Sequence, residues 1–202
     1  MSELEELLEL GRRAVEAALR AGATEAEAYI SSETSAELLF TDKVDSFRLS
    51  TSTGLGVRAL VGKRLGISSS SLLTPGKAEE VAEKAVRIAR ASSKDREWRS
   101  LPSGLRKVSV KGLFDRETAE LDPDRLVGCV EVLADAIADL GRPVRPTRGM
   151  MRAGQGLVAI CNSSGEEAHR SGTRAYIWVR ATAEEGGRSA TANEADCATA
   201  LS

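Results

Sequence analysis

The sequence predicts an α+β fold in which helices pack on antiparallel sheets. Three segments carry an apolar stripe at helical spacing, and several short segments have the alternation or composition of strands. Short connections separate the strand-like segments, which is typical of antiparallel meanders. The order is helix, meander, helix, then helix, meander. The pattern therefore also fits a duplicated helix-plus-meander unit, although residue identity between the halves is weak.

The first half supplies two helices with a meander between them. Ser2 and Glu5 fit a capping box that opens a helix ending near Ala21. Pro75 suits the first turn of a second helix, which ends near Ala91. Between the helices we expect short strands at residues 26–30, 36–41, 44–50, 56–61 and 65–70, separated by turn residues.

The second half opens with a polar, basic segment, residues 92–112, that reads as a loop or an edge. A third helix is predicted to begin near Asp122 or Pro123, and Gly141 with Pro143 stops it. Strands are then expected at residues 144–152, 156–162, 166–170 and 174–182, with a turn at residues 162–165.

The chain is expected to form one α+β domain over residues 1–183. Residues 184–202 are small and polar and have no strong period, so they predict a linker or the start of a missing C-terminal region.

Composition disfavours several classes of protein. The net charge of −2 and the 3% aromatic content disfavour a nucleic-acid-binding surface. Cys129, Cys161 and Cys197 lack the spacing of a zinc knuckle or a disulfide framework and suit a reducing cytoplasm. No apolar stretch approaches the length of a membrane span, and the N-terminus is unlike a secretory signal. We therefore expect a cytoplasmic protein.

Several short motifs occur in a fixed order along the chain. They are Ala21-Gly22-Ala23 before the first strand, Lys43-Val44-Asp45-Ser46, Gly54-Leu55-Gly56-Val57-Arg58 with Gly66, Ile88-Ala89-Arg90-Ala91-Ser92, and Asn162-Ser163-Ser164-Gly165. Each motif is short, and their order and spacing carry the signal. Together they resemble the N-terminal domain of the TldD/PmbA family of metallopeptidases, also called modulators of DNA gyrase. The resemblance spans about residues 5–182.

The resemblance implies a longer protein in which a following β-rich domain holds zinc through an HExxxH helix. It also implies peptide substrates and homo- or hetero-oligomers with TldD/PmbA-type subunits, some of which lack the zinc ligands. The single histidine, His169, cannot form the HExxxH motif. Accordingly we assign no catalytic residue, no metal ligand and no cofactor to this chain, and leave the substrate-binding residues unassigned. The isolated chain is expected to be inactive.

A structural role is predicted for the family-signature positions. These positions are Gly54, Gly56, Arg58, Gly66, Asn162 and Gly165. Arg58 could orient a partner carboxylate, but a salt bridge with an acidic neighbour is the favoured interpretation. Gly54 and Gly56 resemble half of a phosphate loop, but no helix follows them, so a turn at the entry to a strand is favoured.

Other candidates also have a plainer interpretation. His169 near Glu166 and Glu167 could ligate a metal, but an exposed strand histidine is favoured. Cys161 could be a nucleophile, but a small buried strand residue is favoured.

A basic run near the third helix and the sheet edges are two further candidates. The run comprises Arg142, Arg145, Arg148 and Arg152, together with Pro143 and Pro146. It could contact nucleic acid or an acidic peptide, but a solvated loop and edge strand is favoured. The sheet edges could add a peptide strand or pair with a missing domain or a partner subunit, and the sequence leaves these open.

Overall fold

A computed structural model describes residues 2–104, 109–141 and 144–201. The helices within these ranges are α1 (Glu3–Arg20), α2 (Pro75–Ala91), α3 (Arg116–Glu120) and α4 (Pro123–Ala138). The strands are β1 (Glu25–Phe40), β2 (Val44–Val61), β3 (Arg64–Ser70), β4 (Val144–Asn162), β5 (Glu167–Glu185) and β6 (Arg188–Ala198).

The six strands form one antiparallel sheet in the order β3-β2-β1-β4-β5-β6. Each consecutive trio of strands is a meander, and the two meanders meet where β1 lies beside β4. Both outer hairpins are antiparallel, with Val57 paired to Ser68 and Val179 paired to Glu194. The predicted α+β class with antiparallel strands is therefore confirmed, and the strand order is the one that a repeated helix-plus-meander unit would give.

The two longest predicted helices begin where their capping residues lie. Ser2 Oγ accepts a hydrogen bond from the Glu5 backbone N–H at 3.3 Å, and Thr74 Oγ1 accepts one from Lys77 at 3.3 Å. These side chains bind amide groups that have no partner within the helix. Pro75 occupies the first turn of α2, where no backbone N–H is needed.

The residues divide into two compact units. Unit 1 comprises residues 1–33, 52–109 and 157–170, and unit 2 comprises residues 34–51, 110–156 and 171–202. In unit 1, α1 and α2 pack on one face of the strands through a core that is rich in alanine. Small side chains let the helices approach closely, and a Cβ added to Gly66 of β3 would lie only 2.1 Å from the Ala85 carbonyl oxygen of α2.

The core of unit 2 is built on α4. Leu126, Val130 and Ile137 of this helix are buried against residues of the strands, among them Phe40. A Cβ at Gly149 would lie 2.1 Å from the Phe40 ring, so the aromatic side chain occupies the space that glycine leaves.

The strands are longer than the sequence predicts. The expected strands at 26–30 and 36–41 are one strand, β1, and those at 44–50 and 56–61 are both part of β2. In the same way, β4 and β5 each join two expected strands. Runs of serine, threonine and glycine inside a long strand, such as residues 50–54, look like turns, but here the neighbouring strands provide the backbone hydrogen bonds.

Two elements were not predicted from the sequence. Helix α3 precedes α4, and β6 lies within residues 184–202, where we expected no regular element. The proposed boundary near residue 183 stays a prediction, although β5 continues to Glu185. Arg142 and Pro143 lie outside the described residues. Among the described helices, none has the length and apolar character needed to cross a membrane.

Candidate functional site

Unit 1 has one sheet face that the helices do not cover. Ala26, Ala28 and Ile30 of β1 are buried in the helix-covered core, so the residues that alternate with them point to the opposite side. We call this side the outer face, and it carries Glu27 and the half-exposed Tyr29. It is the surface of unit 1 on which the signature residues Gly54, Gly56 and Arg58 meet an irregular segment of the chain.

That irregular segment, residues 94–104, is called the strap here. It begins at Lys94, which forms a bridge to Arg64 at the start of β3. Further along, the Pro102 carbonyl accepts a hydrogen bond from Asn162 Nδ2 at 2.8 Å, and the Gly104 N–H donates to the Glu166 carboxylate. The strap is thus tied to β3, to the end of β4 and to the residue that precedes β5.

Glu25, the first residue of β1, holds the middle of the strap with both carboxylate oxygens. Trp98 Nε1 donates to Glu25 Oε2 at 2.7 Å, and the backbone N–H of Leu101 donates to Glu25 Oε1 at 2.9 Å. Leu101 is almost fully buried. Because ionised acceptors form the stronger hydrogen bonds, Glu25 fixes the strap against the strand.

Arg58 connects β2 to β1 and to the strap. Its Nη2 lies 2.8 Å from Glu27 Oε1, and its guanidinium carbon lies 5.4 Å from the centre of the Trp98 ring. The salt bridge favoured from the sequence is therefore present, and the aromatic ring adds a cation–π contact. The buried Nε of Arg58 has no hydrogen-bond acceptor within the described residues.

Gly54 and Gly56 lie inside β2, so the expected turn at the entry to a strand is wrong. A Cβ at Gly54 would make an ordinary contact of 3.5 Å with Ser31 Oγ, and one at Gly56 would meet nothing within 4 Å. Since Glu27 faces Arg58 and Ser31 faces Gly54, the antiparallel register places Tyr29 opposite Gly56. The outer face therefore has an open strip beside Tyr29, free of β2 side chains.

The remaining signature residues shape the backbone. Asn162 Oδ1 accepts hydrogen bonds from the N–H groups of Ser164 and Glu166 at 2.9 and 3.1 Å, and Gly165 has a φ of +79°. This is the turn predicted at residues 162–165, and its glycine adopts a conformation that other residues rarely take. Gly66 allows α2 to lie directly on β3. Asn162, Gly165 and Gly66 thus make backbone-shaping contacts, and the purely structural role assigned to them stays a prediction.

Cys161 and His169 are placed as their plainer interpretations expect. Cys161 is buried, and burial raises the pKa of its thiol to about 11, which leaves little of the thiolate that nucleophilic chemistry needs. His169 is exposed on β5. The nearby Glu167 carboxylate is bound by Arg12, with Nε to Oε1 at 2.6 Å, and this bond lowers the pKa of Glu167.

Within residues 2–104, 109–141 and 144–201, no three His, Cys, Asp or Glu side chains converge as a metal site would require. Of the basic run, Arg145 pairs with Glu184 at 3.3 Å and Arg152 donates to Ser35 Oγ at 3.1 Å. Arg142 lies outside the described residues.

The sequence did not single out Glu25, Trp98 or Leu101. Trp98 and Leu101 are large apolar side chains in a segment that is otherwise polar and basic, and that contrast is the signal that could have marked the strap. The partner of Trp98 lies 73 residues away in the sequence, beyond the reach of local patterns.

Comparisons with known proteins support the resemblance. Residues 26–89 match the model of the family described as PmbA/TldA metallopeptidase domain 1. No curated protein matches the chain. Among solved structures, TldE from Thermococcus kodakarensis matches with a TM-score of 0.85 and 19% identity, over 94% of this chain and 43% of that one.

Two further solved structures are candidate modulators of DNA gyrase. The one from Bacteroides thetaiotaomicron has a TM-score of 0.81 and 19% identity, over 95% of this chain and 45% of that one. The one from Thermotoga maritima has a TM-score of 0.76 and 13% identity, over 95% and 43%. The chain thus spans less than half the length of these structures, and the likeness shows a shared fold.

The match at residues 26–89 covers β1, β2, β3 and most of α2. It includes the outer-face residues Glu27, Tyr29 and Arg58, as well as the signature glycines Gly54, Gly56 and Gly66. The fold match extends the likeness over nearly all of the chain. Over residues 26–89 the chain matches the first domain of the PmbA/TldD metallopeptidase family, and over nearly all of its length it shares the fold of the solved structures named above.

Proposed function

We propose that this chain is the N-terminal domain of a TldD/PmbA-type zinc metallopeptidase that acts on peptides or unfolded segments. Its role is to shape the peptide channel and the subunit interface, and it supplies no catalytic residue. Zinc, when bound in the complete protein, polarises the peptide carbonyl and activates water. The observation that carries this proposal is the match of residues 26–89 to the first metallopeptidase domain.

The outer face fits the wall of a peptide channel. The open strip at Gly56 leaves room for an extended peptide beside Tyr29, which offers an aromatic surface and a hydroxyl group. The strap and the Arg58–Glu27 pair hold one end of this face in a fixed arrangement. A fixed surface costs less conformational entropy when it binds a peptide.

The test uses the native protein from its source. Its intact mass and the reading frame beyond codon 202 should show a longer chain, and the zinc-loaded protein should hydrolyse a quenched, unstructured fluorescent peptide in a chelator-sensitive way. Gly56→Leu, which fills the open strip, should raise KM about tenfold with little change in kcat, a loss of about 1.4 kcal/mol in binding. Gly76→Leu is the matched control, because a Cβ there also meets nothing within 4 Å.

Some outcomes would overturn the proposal. A native mass near 21.5 kDa together with no chelator-sensitive hydrolysis would remove the peptidase assignment. Equal effects of Gly56→Leu and Gly76→Leu on KM would remove the outer face from the channel.

A second candidate is a non-catalytic binding subunit of a hetero-oligomeric peptidase. The similarity of the fold to TldE, at a TM-score of 0.85, favours including it. If the continuing reading frame lacks an HExxxH motif and a zinc-bearing subunit co-purifies in fixed stoichiometry, this candidate replaces the first. The cytoplasm remains the proposed location in both cases.

A further inference from the structure

Unit 2 contains an apolar groove of about 380 Å³ between α4 and the hairpin of β5 and β6. Leu133 and Ile137 of α4 form one wall, and the floor includes Ile177, Val179 and Ala181 of β5. A volume of this size is in the range that takes up side chains or a small ligand. The groove is therefore large enough to receive several side chains of a partner.

The second wall of the groove carries negative charge. Glu194 of β6 pairs with Val179, and Asp196 pairs with Ile177. Paired residues of neighbouring strands point to the same face, so both acids lie on the sheet face on which α4 packs. Among the described residues that line the groove, these two alone are charged, and both are exposed. An apolar surface that carries two exposed carboxylates complements a ligand that is aliphatic and positively charged.

The helix layer over this part of the sheet is incomplete within the described residues. A helix is about 10 Å wide and strands lie about 4.8 Å apart, so one helix covers roughly two strands. In unit 1, α2 covers the edge strand β3 and α1 lies beside it. In unit 2, every residue of the edge strand β6 is exposed. The groove thus lies where a second helix would continue the layer.

The groove-facing positions of β6 suit close approach by a helix. Ala190 pairs with Ala183, and Ala192 pairs with Ala181, so this end of the hairpin is lined with small side chains. Small residues permit short distances between a helix and the element on which it packs. Close packing of a helix on a small residue also occurs in unit 1, where Gly66 lets α2 lie directly on β3.

We propose that the groove binds an amphipathic helix of a partner protein. The aliphatic stripe of that helix packs on Leu133, Ile137 and Val179, and a Lys or Arg at its flank faces Glu194 and Asp196. The helix completes the layer that α4 begins.

The probe for this site is a fluorescein-labelled helical peptide of about 14 residues made of leucine and lysine, with leucines at helical spacing. A leucine–glutamate peptide of the same pattern is its charge-reversed counterpart. Fluorescence anisotropy with the full chain should show tighter binding of the leucine–lysine peptide. Glu194→Lys with Asp196→Lys should weaken that binding at least about tenfold and should strengthen binding of the leucine–glutamate peptide.

The matched control is Glu5→Lys with Glu16→Lys, which changes the net charge equally on exposed positions of α1. It should alter the affinity for either peptide by less than about twofold, because neither residue lines the groove and exposed charges are screened by salt. Circular dichroism spectra should show that both double variants are folded. Equal loss of binding in the two double variants would mean only non-specific attraction and would overturn the proposal.

Two other results would also overturn it. If neither peptide binds, Glu194 and Asp196 act only as charges that keep an edge strand from pairing with other chains. If the chain dimerises with rising concentration and Glu194→Lys with Asp196→Lys abolishes the dimer, the occupant is a second copy. A failure here leaves the peptidase proposal intact, because that proposal rests on residues 26–89 and is tested by hydrolysis.

Discussion

Gly66 is the position at which the smallest change should have a large effect on stability. A Cβ added there would lie 2.1 Å from the Ala85 carbonyl oxygen, 2.3 Å from the Ala89 nitrogen and 3.0 Å from the Ala89 Cα. All three atoms belong to the backbone of α2, so no side chain can rotate to relieve the overlap. The substitution Gly66→Ala must therefore move the helix away from β3.

The expected cost follows from two opposing effects. Overpacking a well-packed core costs about 1–3 kcal/mol, and overlap with rigid backbone belongs at the upper end of that range. Replacing glycine by alanine also lowers the conformational entropy of the unfolded chain, which stabilises the folded state by about 0.4–1 kcal/mol. The net loss in the free energy of unfolding is about 2 kcal/mol, which for a chain of this size lowers Tm by about 4–8 °C.

Urea denaturation followed by circular dichroism measures this loss, and Gly56→Ala is the matched control. Gly56 lies on the neighbouring strand, and a Cβ there meets nothing within 4 Å, so its alanine variant should be as stable as the wild type or slightly more stable. The reasoning is refuted if Gly66→Ala costs less than about 0.5 kcal/mol, the usual limit for surface substitutions. It is also refuted if the two variants are equally destabilised.

Three further predictions concern individual contacts. Arg58→Met should lower the free energy of unfolding by about 1–2 kcal/mol and shift the fluorescence emission of Trp98, because an ion pair and a cation–π contact are lost. Iodoacetamide at a pH near 8 should alkylate the exposed Cys197 in the native protein and leave Cys161 unmodified, because the buried thiol has a pKa of about 11. Glu167→Gln should cost up to about 1 kcal/mol at neutral pH. Its bond to Arg12 lowers the pKa of the folded-state carboxyl, so this stabilisation is present above the usual value of about 4.3 and is lost as the pH falls through the lowered pKa.

Each of these predictions has a result that contradicts it. An unchanged tryptophan emission in Arg58→Met would show that the ring does not sense the guanidinium. Alkylation of Cys161 at the rate of Cys197, read by peptide mass spectrometry, would show that the thiol is accessible. A difference between Glu167→Gln and wild type that persists in strong acid would show that the carboxylate charge is not the cause.

The helices with clear caps and apolar stripes could be predicted from sequence. The second helix is predicted at residues 75–91, as observed, because Pro75 marks its first turn and the alanine-rich stripe shows how far it extends. Helix α3 was missed because its five residues are too few to show a period. Strand β6 was missed because every one of its residues is exposed, and alternation arises only when one face is buried.

The candidate site was predictable only in part. The glycines and Arg58 could be singled out by their pattern, and an acidic partner for Arg58 could be expected on general grounds. The strap could not, because its contacts join Glu25 to residues 73 and 76 positions away, and such pairs leave no trace in local spacing. The prediction of a turn at Gly54 and Gly56 was wrong because glycine occurs both in turns and at open positions of strands.

The division of the chain into units has a consequence for how such a domain can be inherited. The boundaries fall inside β1, β2, β4 and β5 and in the connection at residues 109–110, so the polypeptide passes between the units five times. No single cut yields either unit as one continuous stretch. A gene fragment that encodes one unit alone cannot be excised, shuffled or fused elsewhere without taking part of the other. We therefore expect recombination to transmit residues 2–201 as a whole, with changes arising by substitution within strands that serve both units.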